Sequence, residues 1–269
     1  MVQRFFSVGQ MDLQQNHHSH PILLLSGPPS WYYSQFQLSV SLSLSDCFLG
    51  GKTSLLFQFA FNSAMEAARD CKNGQVVFIC NRRRLEAKPP YLSQGVDSSS
   101  EAFQRIQMKY VDDEEGIKKY FAAFHLHDTF PVAVVIDDFG AFFDERSCQE
   151  RYGNPRGRDL AMVRTLALCH NAMIHANETR PCKLVLSDTH RGDSPRLLFI
   201  YKRWVSTIFT IQGDGSGSFI VKDYSNSGGR TAKYSLALQN LLLVEITEAK
   251  YYSEQEKLRR DEKTSHGGA

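Results

Sequence analysis

The apolar positions of this chain switch repeatedly between strand-like and helix-like spacing. Ile22-Leu23-Leu24-Leu25 is a short unbroken apolar run, as in a strand covered on both faces. From Lys52 the apolar residues Leu55, Leu56, Phe59, Ala60, Ala64 and Ala67 fall at helical spacing, and Asn73-Gly74 predicts the end of that helix. Val76-Val77-Phe78-Ile79 reads as a second buried strand, and Lys88-Pro89-Pro90 to Ser100 as a loop. Ile106, Met108 and Tyr110 alternate with Arg105, Gln107 and Lys109, which predicts a half-buried strand. Asp112-Asp113-Glu114-Glu115 then places acidic charge at the start of a helix expected to run to about Leu126. Val132–Ile136 is another apolar strand, closed by Asp137-Asp138. A loop over Asp144–Arg158 is expected to lead into a helix from Asp159 to about Ala176. Lys183–Leu186 is the next strand, ending in Ser187-Asp188-Thr189-His190, and a short helix is expected near Pro195–Arg203. Thr207–Ile211, Phe219–Asp223 and Tyr234–Val244 predict three closing strands joined by Gly- and Ser-rich turns.

Strands alternating with helices predict an α/β fold with a mostly parallel sheet, and the closing strands predict an antiparallel extension on its edge. Three segments are expected. Residues 1–20 are a polar leader ending in His17-His18-Ser19-His20, read as solvated and disordered. Residues 21–247 form one domain, and residues 248–269 form a charged tail without an apolar stripe. At 269 residues and 42% hydrophobic content the chain suits a single core. The net charge of +2 neither demands nor excludes a nucleic-acid partner, so local clusters must decide. Six cysteines without a C-x-x-C pair read as the reduced thiols of an intracellular protein, not as a disulfide frame or zinc site. No apolar run reaches transmembrane length and Met1–Gln10 lacks the apolar core of a secretory signal, so no membrane partner is expected.

The candidate chemistry begins with a phosphate-binding loop in two pieces. Gly27-Pro28-Pro29-Ser30 follows the first strand, and Gly50-Gly51-Lys52-Thr53-Ser54 opens the first helix. Removing the 19 residues Trp31–Leu49 joins them as G-x-x-x-x-G-K-[ST], in the strand-then-helix context the motif requires. Such a loop works because successive backbone N–H groups curl around phosphates at a helix N-terminus. Lys52 is expected to reach the β- and γ-phosphates and Thr53 to ligate Mg²⁺, while Asp137, ending its apolar strand, is expected to hold the water shell of that ion. Asp138 reads as a turn or helix-cap acid. Within Trp31–Leu49, Leu38-Ser39-Val40-Ser41-Leu42-Ser43-Leu44-Ser45 alternates strictly. The stretch reads either as an edge strand or as translated non-coding sequence. In both cases it separates the amides of the cradle, so weak ATP binding is expected.

Basic residues cluster after three strands: Arg82-Arg83-Arg84, then Arg146, Arg151, Arg156 and Arg158, then Arg191, Arg196, Lys202 and Arg203. Loops beyond the carboxyl ends of parallel strands carry ligands in open α/β sheets. Three basic loops on that rim suit a nucleic-acid backbone, with Tyr152, Tyr201 and Trp204 as candidate base-stacking rings.

The ordered pieces G-P-P-S/G-K-T-S-L-L-F, V-V-F-I-C-N-R-R-R, V-A-V-V-I-D-D, R-Y-G-N-P-R-G-R-D and K-L-V-L-S-D-T-H resemble the RecA/RadA-type recombinase core over roughly Pro21–Val244. Within that superfamily they look most like the small recombinase paralogues of Shu complexes. The resemblance implies a RecA-like P-loop NTPase fold, ATP and Mg²⁺ as cofactors, and a nuclear adaptor role in double-strand-break repair by homologous recombination. It implies single-stranded DNA and a SWIM-type zinc-finger protein as partners, with a RecA/RadA-type recombinase as a further one. By position, Arg151–Arg158 match the family's first DNA-binding loop and Arg191–Arg203 the second. Two departures imply weak ATP turnover at best. The family's catalytic Glu is replaced by Cys80-Asn81-Arg82-Arg83, with Glu86 several residues too late, and the γ-phosphate sensor position carries Asp188-Thr189. No match to the family's N-terminal oligomerisation domain is present, so long filaments are not expected. A P-loop kinase or nucleotidase acting on a small molecule, and a nucleotide-independent scaffold, remain the alternative readings.

Overall fold

The computed structural model describes residues 2–6, 22–28, 51–70, 74–191, 194–195, 197–224 and 229–247. The expected Trp31–Leu49 insertion, Pro29, Ser30, Gly50, Arg196 and the 248–269 tail lie outside them.

The helices are α1 (Lys52–Asp70), α2 (Arg82–Ala87), α3 (Glu114–Ala122), α4 (Arg146–Tyr152), α5 (Pro155–Thr179) and α6 (Leu198–Trp204). The strands are β1 (Ile22–Gly27), β2 (Val76–Cys80), β3 (Leu92–Ser93), β4 (Ile106–Tyr110), β5 (Ala133–Ile136), β6 (Lys183–Arg191), β7 (Ser194–Pro195), β8 (Thr207–Gly213), β9 (Ser218–Asp223), β10 (Thr231–Ala237) and β11 (Asn240–Thr247). The sheet runs β3-β11-β10-β9-β8-β1-β6-β5-β2-β4, with β7 paired only to β6. From β8 to β4 every pairing is parallel, and β8 to β11 form an antiparallel meander. The expected α/β class, with a largely parallel sheet and an antiparallel end, is therefore present.

The central strands are apolar throughout because both faces are covered. Successive residues feed opposite cores, as the two-residue period of a strand requires. Ile22, Leu24, Val134, Ile136, Leu184 and Leu186 join the core beneath α3, α5 and α6. Leu23, Leu25, Ala133, Val135 and Val185 join the core around α1.

Helix α1 is enclosed by more than the sheet. The chain from α2 to β4 crosses the α1 face, pairs β3 with β11 at one sheet edge, and returns to place β4 at the other. Its Phe103 packs on Phe57 and Phe61 of α1. Ser54 Oγ accepts the Tyr91 N–H at 2.9 Å, and fully buried Gln58 accepts the Ser93 N–H through Oε1 at 2.9 Å. The expected loop at 88–100 thus contains a short strand, and its backbone donors are satisfied by polar side chains on the helix.

Other boundaries also change. Val2–Phe5 form a 3-10 turn, and Phe5 and Phe6 are buried against Phe59, Phe209 and Tyr234, so residues 2–6 belong to the core and not to a solvated leader. The rest of the leader lies outside the described residues. The loop expected over Asp144–Arg158 is mostly helical. It holds α4 and the start of α5, where Pro155 occupies the first turn and the Asn154 side chain accepts the Gly157 N–H at 2.8 Å. The expected strand Tyr234–Val244 is two strands, β10 and β11, joined at Leu238-Gln239.

Candidate phosphate-binding site

Three parallel strands deliver the site residues to one edge. In β1, Gly27 sits beside Thr189 of β6, while Ile136 of β5 sits beside Leu186 of β6. Lys52 begins α1, and its aliphatic stem lies across the end of β1. A Cβ on Gly27 would sit 3.0 Å from that stem, so a larger residue there would require the lysine chain to shift. The Lys52 side chain is buried, at 7% exposure, and its ammonium donates to Thr189 Oγ1 at 2.9 Å. It also lies 3.3 Å from Asp138 Oδ1.

Asp137 is the hub of the neighbouring network. Thr53 Oγ1 donates to its Oδ2 at 2.8 Å, and Ser187 Oγ donates to its Oδ1 at 2.8 Å. The same Ser187 oxygen accepts the Asp138 N–H at 2.8 Å. Burial, and secondarily the charge of Asp138, push the Asp137 carboxyl up to about 6, against the opposing pull of Thr53, Ser187 and Lys52. Asp138 itself is left-handed, at φ 49° and ψ 50°, a conformation that Asp tolerates better than most residues. Its Oδ1 is buried without a hydrogen-bond partner, so its contact with Lys52 is Coulombic.

Asp188 follows on β6, 2% exposed. It accepts the Tyr201 hydroxyl at Oδ2 (2.6 Å) and the Thr189 N–H at Oδ1 (2.7 Å). Gly140 packs directly on this carboxylate: a Cβ there would sit 2.3 Å from Oδ1. Asp188 is therefore a framework residue joining β6, α6 and the turn after Asp138. Its position matches that of the γ-phosphate sensor in the resembled family, from which Asp188 departs. Thr189 is the neighbour that faces Lys52.

At the end of β2, where the resembled family carries a catalytic Glu, Cys80 is buried and its thiol is pushed up to about 12 by burial and by Asp137. Asn81 caps α2 by accepting the Arg84 N–H at 3.2 Å. Glu86 is paired with Arg82 on the exposed face of α2. Arg84 is engaged with Glu145 and stacks over Phe142, so this basic triplet is partly consumed by packing.

Among the described residues, those expected to bind DNA do not form one surface. Arg151 is ion-paired with Asp113 at 3.0 Å and with the fully buried Glu114, which ties α4 to α3. Arg156 and Arg158 lie in the first turn of α5 and make no ion pair among the described residues. Lys202 and Arg203 lie in the last turn of α6, where Ser206 Oγ donates to the carbonyl of Ile22 at 2.7 Å. That is the start of β1, about 17 Å from its Gly27 end at 3.3 Å per residue. They therefore sit toward the opposite end of the sheet from Lys52. Arg191 ends β6, and Arg196 lies outside the described residues. Tyr201 is fully buried, Trp204 packs edge-on to His170, and Tyr152 lies under Lys118, so the three aromatic rings do not form a stacking platform.

No protein-family model matches the chain, and no curated protein matches it. Among the described residues no three His, Cys, Asp or Glu side chains group as metal ligands, and no helix is long and apolar enough to cross a membrane. The Thr53–Asp137 pair fits Mg²⁺ without such a group, because this ion is bound by one or two carboxylates, by waters and by substrate phosphates. Lys52 at the start of a helix fits a phosphate. Pro28 ends the described part of β1's loop, and Pro29, Ser30 and Gly50 lie outside it.

Proposed function

We propose that this chain binds the phosphates of ATP with Mg²⁺ at the β1–β6–β5 strand ends, and that it serves as a recombinase-paralogue adaptor in homologous recombination. One observation carries the phosphate reading. Lys52, Thr53, Asp137 and Thr189, drawn from three separate segments, converge within hydrogen-bonding distance at the helix start and strand ends. Lys52 would contact the phosphates, and Thr53 and Asp137 would hold the cation. Bound Mg²⁺ would supply charge neutralisation for the phosphate oxygens.

The RecA-like reading is supported by the placement of β6 between the Gly27 strand and the Asp137 strand and by the antiparallel end of the sheet. Turnover is expected to be weak. Asp137 and Asp188 are both bound by neighbouring hydroxyls, and Asp138 faces Lys52. Arg156 and Arg158 are the basic residues best placed for single-stranded DNA near this edge. The SWIM-type partner, the recombinase partner and the nuclear location rest on the resemblance alone.

Titration of a fluorescent ATP analogue with Mg²⁺ tests the proposal on three proteins: the full chain, Lys52→Ala and a form lacking Trp31–Leu49. Binding that is tighter in the deletion form and lost in Lys52→Ala is expected. Equal, tight binding by all three would place the nucleotide elsewhere. Absence of binding in all three would favour the scaffold reading.

A further inference from the structure

Lys52 has a counter-ion already. Its side chain is 7% exposed and its ammonium lies 3.3 Å from Asp138 Oδ1, which is buried and accepts no hydrogen bond among the described residues. The Asp138 side chain is 29% exposed, so its charge is partly solvated, and Lys52 is the cation that faces its buried oxygen. The backbone reinforces the arrangement. The Asp138 N–H is held by Ser187 at 2.8 Å, and the residue is fixed in a left-handed conformation immediately after β5. A phosphate that takes Lys52 must leave Asp138 Oδ1 uncompensated unless it brings positive charge with it. The second acid of the pair thus has a role that a turn or cap residue would not have.

We propose that Asp138 sets the specificity of this site: it withholds Lys52 from metal-free phosphates and admits polyphosphate only as its divalent-cation complex. The cation, held by Thr53 and Asp137, then supplies the charge that Lys52 withdraws from Asp138. Phosphates without a cation meet Asp137 and Asp138 against a single ammonium. This rests on the phosphate reading above and adds to it a discrimination between two forms of one ligand.

The test uses inorganic pyrophosphate as probe, titrated calorimetrically into the full chain with Mg²⁺ and, separately, with a chelator. Asp138→Asn keeps the side-chain shape and tolerates the left-handed backbone. It is expected to bind metal-free pyrophosphate roughly tenfold more tightly than the parent, a fraction of the short-range Coulomb attraction it removes. It should gain little for the Mg²⁺ complex. In Asp138→Asn/Lys52→Ala the gain should vanish. A lysine-acylating reagent read by mass spectrometry gives an independent measure, with Lys52 labelled faster in Asp138→Asn. Three results would overturn the assignment: no metal-free gain, an equal gain for both forms, or a gain that survives loss of Lys52. If Mg-pyrophosphate binds and Lys52→Ala abolishes it while Asp138→Asn changes nothing, only the role of Asp138 fails. If neither form binds to any of these proteins or to the form lacking Trp31–Leu49, the phosphate reading fails and the inference falls with it.

Discussion

At the strand ends Lys52 lies between Thr189 and Asp138, with Asp137 beside it; Lys52 and Asp137 are buried and Asp138 and Thr189 half-buried. On α4 and early α5, Arg151 faces Asp113 and Glu114, while Arg156 is exposed and Arg158 half-buried, neither with an ion pair among the described residues. In the sequence the first region is spread over three segments, whereas the second is a basic cluster. In the first, carboxylates outnumber the cation and are held by the fold, so the network is complete as a scaffold and incomplete in charge. In the second, the charges divide. One arginine is absorbed into a helix–helix bridge, and two remain where a partner's phosphates can reach them. Motif spacing identifies a place where the backbone converges, whereas a basic cluster identifies only composition, and each residue's partner decides its role.

Arg151→Ala gives the largest expected effect. Glu114 is fully buried and one of its oxygens lacks a hydrogen-bond partner, so losing Arg151 leaves this carboxylate between α3 and α4 with only the more distant Lys118, at 4.0 Å, as an ion-pair partner among the described residues. The variant should lose about 3 kcal/mol or more in chemical denaturation, with little change in the salt dependence of DNA binding. Glu114→Gln in the same background should recover part of the loss. A stable Arg151→Ala protein with weakened DNA binding would return Arg151 to the nucleic-acid surface and erase half of the contrast.

Gly140→Ala probes the tightness of the other region. The added methyl would meet the Asp188 carboxylate, which the Tyr201 hydroxyl and the Thr189 N–H hold in place. Overpacking of this kind costs about 2 kcal/mol, and thermal unfolding should report it. An unchanged melting temperature would mean that the framework around Asp188 yields, and that Thr189 is not rigidly presented to Lys52.

Much of this architecture was legible in the sequence, for identifiable reasons. β1, β2, β5 and the start of β6 are unbroken apolar runs ending in polar residues, and α1 carries a clear helical stripe. The meeting of Lys52, Thr53 and Asp137 was legible because the motif fixes local geometry on either side of the insertion. The β10–β11 turn was not, because Leu238 and Gln239 adopt left-handed conformations, at φ 51° and 59°, without the Gly or Asn that usually marks such a turn. The start of α5 was hidden by Pro155 and Gly157, although Asn154-Pro155 is a capping signal that was there to be read. Gln58 gave the one hint of the segment enclosing α1, as a polar residue on an apolar helix face. The consumption of Arg151 and the Lys52–Asp138 contact depend on neighbours distant in sequence, which local patterns do not report.

Asp137→Asn should act in the opposite direction to the first two variants. An unfolded Asp ionises near 3.9, whereas burial raises the folded carboxyl to about 6. Between about pH 4 and 6 the folded chain keeps a proton that the unfolded chain has lost, so stability falls as pH rises through this window and levels off above it. Asparagine removes that slope and should stabilise the protein at pH 7 by on the order of 1–3 kcal/mol. It should also abolish cation-dependent phosphate binding. Denaturation at pH 4 and pH 7 gives the comparison, and a variant destabilised equally at both would show that Asp137 is retained for packing alone.

The smallest effect on stability is expected from Arg156→Glu/Arg158→Glu, and it bears most directly on function. Neither residue makes an ion pair among the described residues, so the double variant should unfold within about 0.5 kcal/mol of the parent. If both arginines contact phosphates of single-stranded DNA, the slope of log affinity against log salt should fall in magnitude by roughly 1.4, about 0.7 per contact removed. Binding of an unstructured oligonucleotide across a salt series measures this. A lower affinity with an unchanged slope would mean that the reversed charges repel DNA from a distance without having held it. Unchanged affinity and slope would leave these two arginines of α5 as ordinary surface, and the contrast with Arg151 would then concern folding and not DNA.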